Sequence, residues 1–202
     1  MKKILIGLLC GVLSTPALAD EGFYTRFDTG YANIEGNFDA NYLLQTGFGY
    51  KIGSSFRTDF VISRRRFDMS GIRDLDGIRG ETKGRISALA ATLNGYWDFL
   101  KFKTVSFYLG AGVGIGRNKT TDTTIGQAFV KGRRKYDFVW HAGGGVAFEL
   151  PKNLTLDIGY DYSDLGYFET KTTLKISTDA VWNSRREDVA AHEFRVGLRY
   201  NF

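Results

Sequence analysis

The sequence is 202 residues long, with 25 glycines, 15% aromatic residues, two prolines and one cysteine. A formal charge of +5 discriminates little by itself, and a lone cysteine excludes a disulfide framework or a cysteine-based metal centre. Beyond the first twenty positions no run of roughly eighteen apolar residues occurs, which excludes a membrane-spanning helix.

The chain opens on MKKILIGLLCGVLSTPALAD. Lys2 and Lys3, an apolar run from Ile4 to Leu13 and the small-residue sequence Ala17-Leu18-Ala19 have the order of a secretory signal peptide. Cleavage after Ala19 is expected, so residues 1–19 are the signal and 20–202 the folded domain. A lipoprotein cleavage site at Leu8-Leu9-Cys10 fits worse, because bulky Leu9 precedes the cysteine and the cut would halve the apolar run. Cys10 leaves with the signal, and losing Lys2 and Lys3 lowers the formal charge to +3, from 25 basic and 22 acidic residues.

From there the apolar residues alternate with polar ones and rarely follow a helical spacing. Strands are predicted at 22–31, 42–51, 56–64, 86–97, 105–116, 137–149, 154–162 and 190–202, lengths that suit a bilayer crossing of roughly 9 to 11 tilted residues. One parity carries Phe23, Phe27, Tyr31, Phe48, Phe60, Leu93, Trp97, Val113, Phe138, Trp140, Ile158, Phe194 and Val196. The other carries Arg26, Asp28, Arg57, Asp59, Asp157, Asp161, Glu193, Arg195 and Arg199, with Lys51, Asp137, Glu149 and many glycines.

A soluble sandwich would bury the apolar parity and wet the charged one. An outer-membrane barrel inverts this, with apolar side chains toward lipid and charges enclosed. Inversion is favoured by aromatics gathered near strand ends and by glycines on the charged parity, where a narrow lumen needs room. It is also favoured by the rhythm of connections. Residues 52–55, 98–104 and 150–153 are short turns, whereas 32–41, 65–85, 117–136 and 163–189 read as long polar loops. The expected fold is therefore all-β: an eight-stranded antiparallel transmembrane up-and-down barrel with both termini periplasmic.

The stretches "TGFGYKIG" and "LGAGVGIG" and the ending "FRVGLRYNF" resemble small Gram-negative outer-membrane β-barrels of the opacity-type and surface-antigen families. The resemblance spans the whole chain after the signal. It implies roles in envelope integrity, adhesion or contact with host molecules. It also implies that Leu198, Tyr200 and Phe202 serve as the signal read by the barrel-assembly machinery.

Nine enclosed charges are expected to form one ion network: Arg26, Asp28, Arg57, Asp59, Asp157, Asp161, Glu193, Arg195 and Arg199. Such a network would plug the lumen, since an unpaired buried ion costs several kcal/mol. The alternative is a narrow porin-like channel for small solutes. A lipid A-modifying hydrolase is a third reading, resting on His141 and His192, the only histidines. His141 is expected inside, near Ser106, Asp137 and Asp157, and His192 near the outer rim. Neither belongs to a compact His-x-Ser pattern, so no enzyme activity and no catalytic residue is expected. No metal or cofactor is expected either.

The predicted loops carry Arg64, Arg65, Arg66, Arg117, Lys119, Lys131, Arg133, Arg134 and Lys135, a cationic patch. It fits lipopolysaccharide phosphates at the outer-membrane rim, or sulfated and acidic host surface molecules. Nucleic acid is a poor partner for an exported chain.

Overall fold

The computed structural model describes residues 21–34, 41–75, 78–120, 123–125, 128–131, 134–176 and 179–202. The predicted signal peptide lies outside them. The strands are β1 (Gly22–Ile34), β2 (Asn41–Ile52), β3 (Phe56–Leu75), β4 (Ile78–Lys101), β5 (Val105–Thr120), β6 (Thr123–Ile125), β7 (Ala128–Lys131), β8 (Arg134–Leu150), β9 (Leu154–Ile176) and β10 (Asp179–Asn201). Eight of them, all but the short β6 and β7, form an antiparallel ring in chain order. β10 closes it on β1, from Tyr24↔Asn201 to Ile34↔Ala191. Closure leaves no ladder edge in the wall, which a strand crossing lipid requires.

The period of two becomes two faces. On β10, Phe194, Val196, Leu198 and Tyr200 are exposed, while Glu193, Arg195 and Arg199 are buried. Phe27, Phe48, Phe60, Leu93, Leu109, Val113, Ile115 and Ile158 continue the exposed band around the ring. Such a girdle of exposed aromatic and aliphatic side chains over ionic contents has no place in water. Glycines make the interior wide enough: a Cβ on Gly145 would meet Tyr108 Oη at 2.5 Å and Cζ at 2.8 Å.

One end of the barrel is built of tight turns. Gly53 takes φ 58° between β2 and β3. Lys152 and Asn153, in the three-residue connection between β8 and β9, take φ 64° and 58°, both in the left-handed region. The Asn153 carbonyl then accepts the Asn201 amide at 2.9 Å, tying this turn to the last strand.

The opposite end corrects the sequence reading. Much of 65–85 and 163–189, expected as loops, is strand: β3 and β4 stay paired to Leu75↔Ile78, and β9 and β10 to Ile176↔Asp179. The small β6–β7 hairpin joins them, pairing Thr82↔Ile125 on β4 and Phe129↔Thr173 on β9. Beyond a bilayer the lipid no longer demands a greasy outer face. The ladder therefore continues although the sequence alternation fades.

Candidate functional site: the filled lumen, its mouth and the cationic outer wall

The lumen is occupied in layers. Arg26 grips Asp28 with two bonds of 2.8 Å and reaches Asp59 at 3.1 Å and Tyr96 Oη at 2.8 Å. Asp59 also receives Asn94 Nδ2 at 2.7 Å and Tyr24 Oη at 3.0 Å. Arg195 Nε binds Asp161 at 2.5 Å. Nearer the turns, Arg57 holds Asp98 at 2.8 and 3.1 Å, its guanidinium 4.8 and 4.9 Å from the Tyr96 and Tyr108 rings. Arg199 lies 3.5 Å from Asp157. All nine residues proposed for the ion network are thus buried on the inner face.

Toward the long hairpins, Arg65 donates from Nε and Nη2 to Glu193, which also accepts Ser163 Oγ at 3.0 Å. This overturns the place given to Arg65 in the cationic patch. It is 4% exposed, because it continues the inward parity of Arg57, Asp59 and Ser63. Above it the lumen turns apolar: Ala32, Leu43, Phe67, Leu165, Val189 and Ala191 form a buried cluster. An ionic plug and an apolar cap therefore lie in series.

Sequence reasoning missed Arg65, Asp98 and Asn94 as interior members, and the apolar cap. Parity was the available signal for Arg65, hidden by its two charged neighbours. Asp98 was assigned to a turn, but β4 runs on to Lys101, and Asp98, paired with Tyr108 before the bulge at Asp98/Leu100, keeps the inward parity of Asn94 and Tyr96.

The two histidines are already committed. His141 Nε2 donates to Asn94 Oδ1 at 2.9 Å, and its Nδ1 lies 3.8 Å from Asp161. Its partners are Asn94 and Asp161 rather than the expected Ser106, Asp137 and Asp157. Cross-strand Ser163 gives its hydroxyl to Glu193 rather than to the His141 imidazole. His192 sits on the outer wall, 2.5 Å from Tyr160 Oη, within an aromatic group that includes Tyr162.

The remaining patch residues divide. Arg64, Arg117 and Lys119 are exposed on the outer wall, and Arg66 is half-buried with its guanidinium 5.7 Å from the Tyr42 ring. Registers Arg64↔Leu89 and Leu89↔Arg117 set one rung; Arg66↔Ser87 and Ser87↔Lys119 set the next. Arg64 and Arg117 are thus two strand spacings apart, about 10 Å. Lys131, Arg134 and Lys135 lie in β7 and β8, where only their backbone is described, and Arg133 lies outside the described residues. Arg64, Arg66, Arg117 and Lys119 are thus features of the wall rather than of a loop.

At the turn end the barrel opens on a cavity of about 380 Å³. Its charged lining is Lys51, Arg57, Lys101, Lys152 and Arg199 against Glu21, Asp98 and Glu149.

A closed ring of eight antiparallel strands, apolar outside and ionic within, defines an integral membrane β-barrel. The chain belongs to the outer membrane protein beta-barrel domain family, whose model matches residues 5–202. It is an outer-membrane β-barrel. It is 24% identical to outer membrane protein PagN of Salmonella typhimurium over 77% of this chain and 72% of that one. It is 25% identical to the candidate adhesin RC1281 of Rickettsia conorii over 84% and 72%. Among solved structures, Neisserial surface protein A superposes with a TM-score of 0.58 at 20% identity, covering 90% of this chain and 97% of that one.

Proposed function

We propose that this barrel is a surface-display protein. Its turn end and termini face the periplasm, its wall cations hold lipopolysaccharide phosphates, and its long hairpins present an adhesive surface to acidic host molecules. The observation that carries the reading is the double rung of Arg64, Arg66, Arg117 and Lys119. These side chains leave the wall just where the apolar band ends: Arg64 stands between Leu44 and Leu89 and two residues past Ile62. Arginine meets phosphate through two parallel hydrogen bonds, and a spacing of about 10 Å suits separate anionic groups.

The adhesive part is supported by the likeness to a candidate adhesin and by hairpins that stay paired well beyond the apolar band. Leu198, Tyr200 and Phe202, exposed in alternation on β10 and at its end, suit reading by the barrel-assembly machinery. No catalysis is proposed, since His141 is engaged by Asn94 and shielded within the lumen.

The test compares thermal unfolding in bilayers with and without lipopolysaccharide. Lipopolysaccharide is expected to raise the midpoint of the wild type and to leave the Arg64→Ala/Arg66→Ala/Arg117→Ala/Lys119→Ala variant unmoved. Equal stabilisation of both proteins would refute the phosphate role. Adhesion is read separately, as heparin binding that weakens with salt over a screening length of about 8 Å; salt-indifferent or absent binding would refute it.

A further inference from the structure

We infer that the outer wall beside the β4–β5 turn is a docking site for an anionic phospholipid, with its acyl chains against Trp97, Phe99, Leu100 and Phe102 and its phosphate on Lys103. The bulge in β4 makes the apolar part. Phe99 is the extra residue between Asp98 and Leu100, which pair with Tyr108 and Phe107, so Phe99 and Leu100 leave the wall in succession and both are exposed. Phe99 lies 5.9 Å from the Trp97 ring. Phe102, at the turn itself and 62% exposed, meets the Phe107 ring edge-on at 6.3 Å. Trp97 pairs with Phe56 and Leu109, both exposed, so this ledge continues the lipid-facing band to the rim of the barrel.

The charges beside the ledge choose the lipid. Lys103 is exposed, stands two residues before outward-facing Val105 and does not line the turn-end cavity. Lys101 differs, since it lines the cavity and lies 3.9 Å from Asp98. The carboxylates of this end are turned elsewhere. Asp98 is held inside by Arg57, and Glu149 keeps the inward parity of Ala147 and lines the cavity. Glu21 lies across the ring beside β1, where it accepts Tyr50 Oη. Among the described residues, the outward positions at the turn ends of β4, β5 and β8 therefore carry one cation and no carboxylate. A lysine stem can lie along apolar surface while its ammonium reaches a phosphate, and nothing on this sector would hold the cationic part of a zwitterionic headgroup.

That the lipid belongs to the periplasmic leaflet rests on the orientation proposed above. Binding to a barrel in vesicles whose two leaflets match does not depend on that orientation, so the two can fail separately.

The experiment uses the barrel with Trp140→Phe and Trp182→Phe, which leaves Trp97 as the sole tryptophan, in vesicles of phosphatidylcholine mixed with phosphatidylglycerol. One lipid or the other carries bromine on its acyl chains, and bromine quenches a tryptophan that it touches. At equal mole fraction, brominated phosphatidylglycerol is expected to quench Trp97 as a lipid bound about fivefold more tightly, the effect of one lysine at an anionic surface. Lys103→Ala should bring the two lipids level. Lys51→Ala, which removes a cation of the same end on β2, should leave the preference in place. Heat-modifiable gel migration checks that each variant is folded. Equal quenching by the two lipids before any lysine is changed would overturn the site. So would a preference that survives Lys103→Ala, or one that Lys51→Ala abolishes equally. Trp97 quenched by neither lipid would show the ledge covered by protein, a second copy of the chain included, and would overturn it as well.

Discussion

Removing one partner of the Arg65–Glu193 pair tests the account of the lumen most sharply. Glu193 is 1% exposed and receives Arg65 Nε, Arg65 Nη2 at 2.9 Å and Ser163 Oγ at 3.0 Å. Glu193→Leu leaves a guanidinium enclosed without its hydrogen-bonded carboxylate, a loss of about 3 to 5 kcal/mol. Arg65→Met strands the carboxylate instead and should cost about the same.

The double variant removes both charges. Arg65 faces Leu43 across the ladder and precedes Phe67 by two residues, so the new side chains would extend the buried apolar cluster. A buried ion pair replaced by apolar groups of similar size is near neutral, so a change within about 1 kcal/mol is expected, against about 6 or more if the single losses simply added. Urea unfolding in phospholipid vesicles, followed by tryptophan fluorescence and heat-modifiable gel migration, measures all three. Single losses below about 1 kcal/mol would refute the buried-pair reasoning, as would a double variant as weak as the sum.

Other consequences follow from the same packing. A Cβ at Gly197 would run into the Asp28 carboxylate, whereas one at Gly95 meets nothing within 4 Å. Gly197→Ala should therefore cost about 1 to 3 kcal/mol and Gly95→Ala close to nothing, measured by the same unfolding assay. Leu93 is 61% exposed in the middle of the apolar band, so Leu93→Arg should cost about 2 to 4 kcal/mol in a bilayer. A cost near zero would mean that this position meets water. With ionic layers and an apolar cap in series, planar bilayers should record no discrete conductance from the wild-type barrel. Reproducible ion-selective steps would contradict the filled lumen.

How much of this was readable beforehand depends on what each residue had to satisfy. Residues in the band, such as Phe60 beside Asp59 or Val196 beside Arg195, must choose between lipid and lumen, so a period of two is forced into the sequence and the eight wall strands were legible. Past the band the outer face no longer has to be apolar. The strands of the long hairpins, with Asp68, Gly71 and Arg73 on β3, keep their hydrogen-bond ladder but carry no such signature. Arg64-Arg65-Arg66 reads as a loop cluster because three consecutive charges resemble a solvated turn. Parity with Arg57, Asp59 and Ser63 was the one sign in the sequence that the middle one points inward.

Partners across the barrel were beyond reach for a similar reason. Nothing local to His141 indicates Asn94, and nothing local to Arg57 indicates Asp98. These pairings follow from register, which the turns and the bulge at Asp98 set.

The central claim is that the apolar face meets acyl chains while the charges lie within a closed ring. Spin labels placed singly at Leu93, Val113 and Val196 in phospholipid bilayers, compared with one at Lys119, test it directly. The account predicts that the first three collide freely with dissolved oxygen and hardly at all with a water-soluble nickel complex, with the reverse at Lys119. Nickel access at Leu93, Val113 and Val196 equal to that at Lys119 would contradict it.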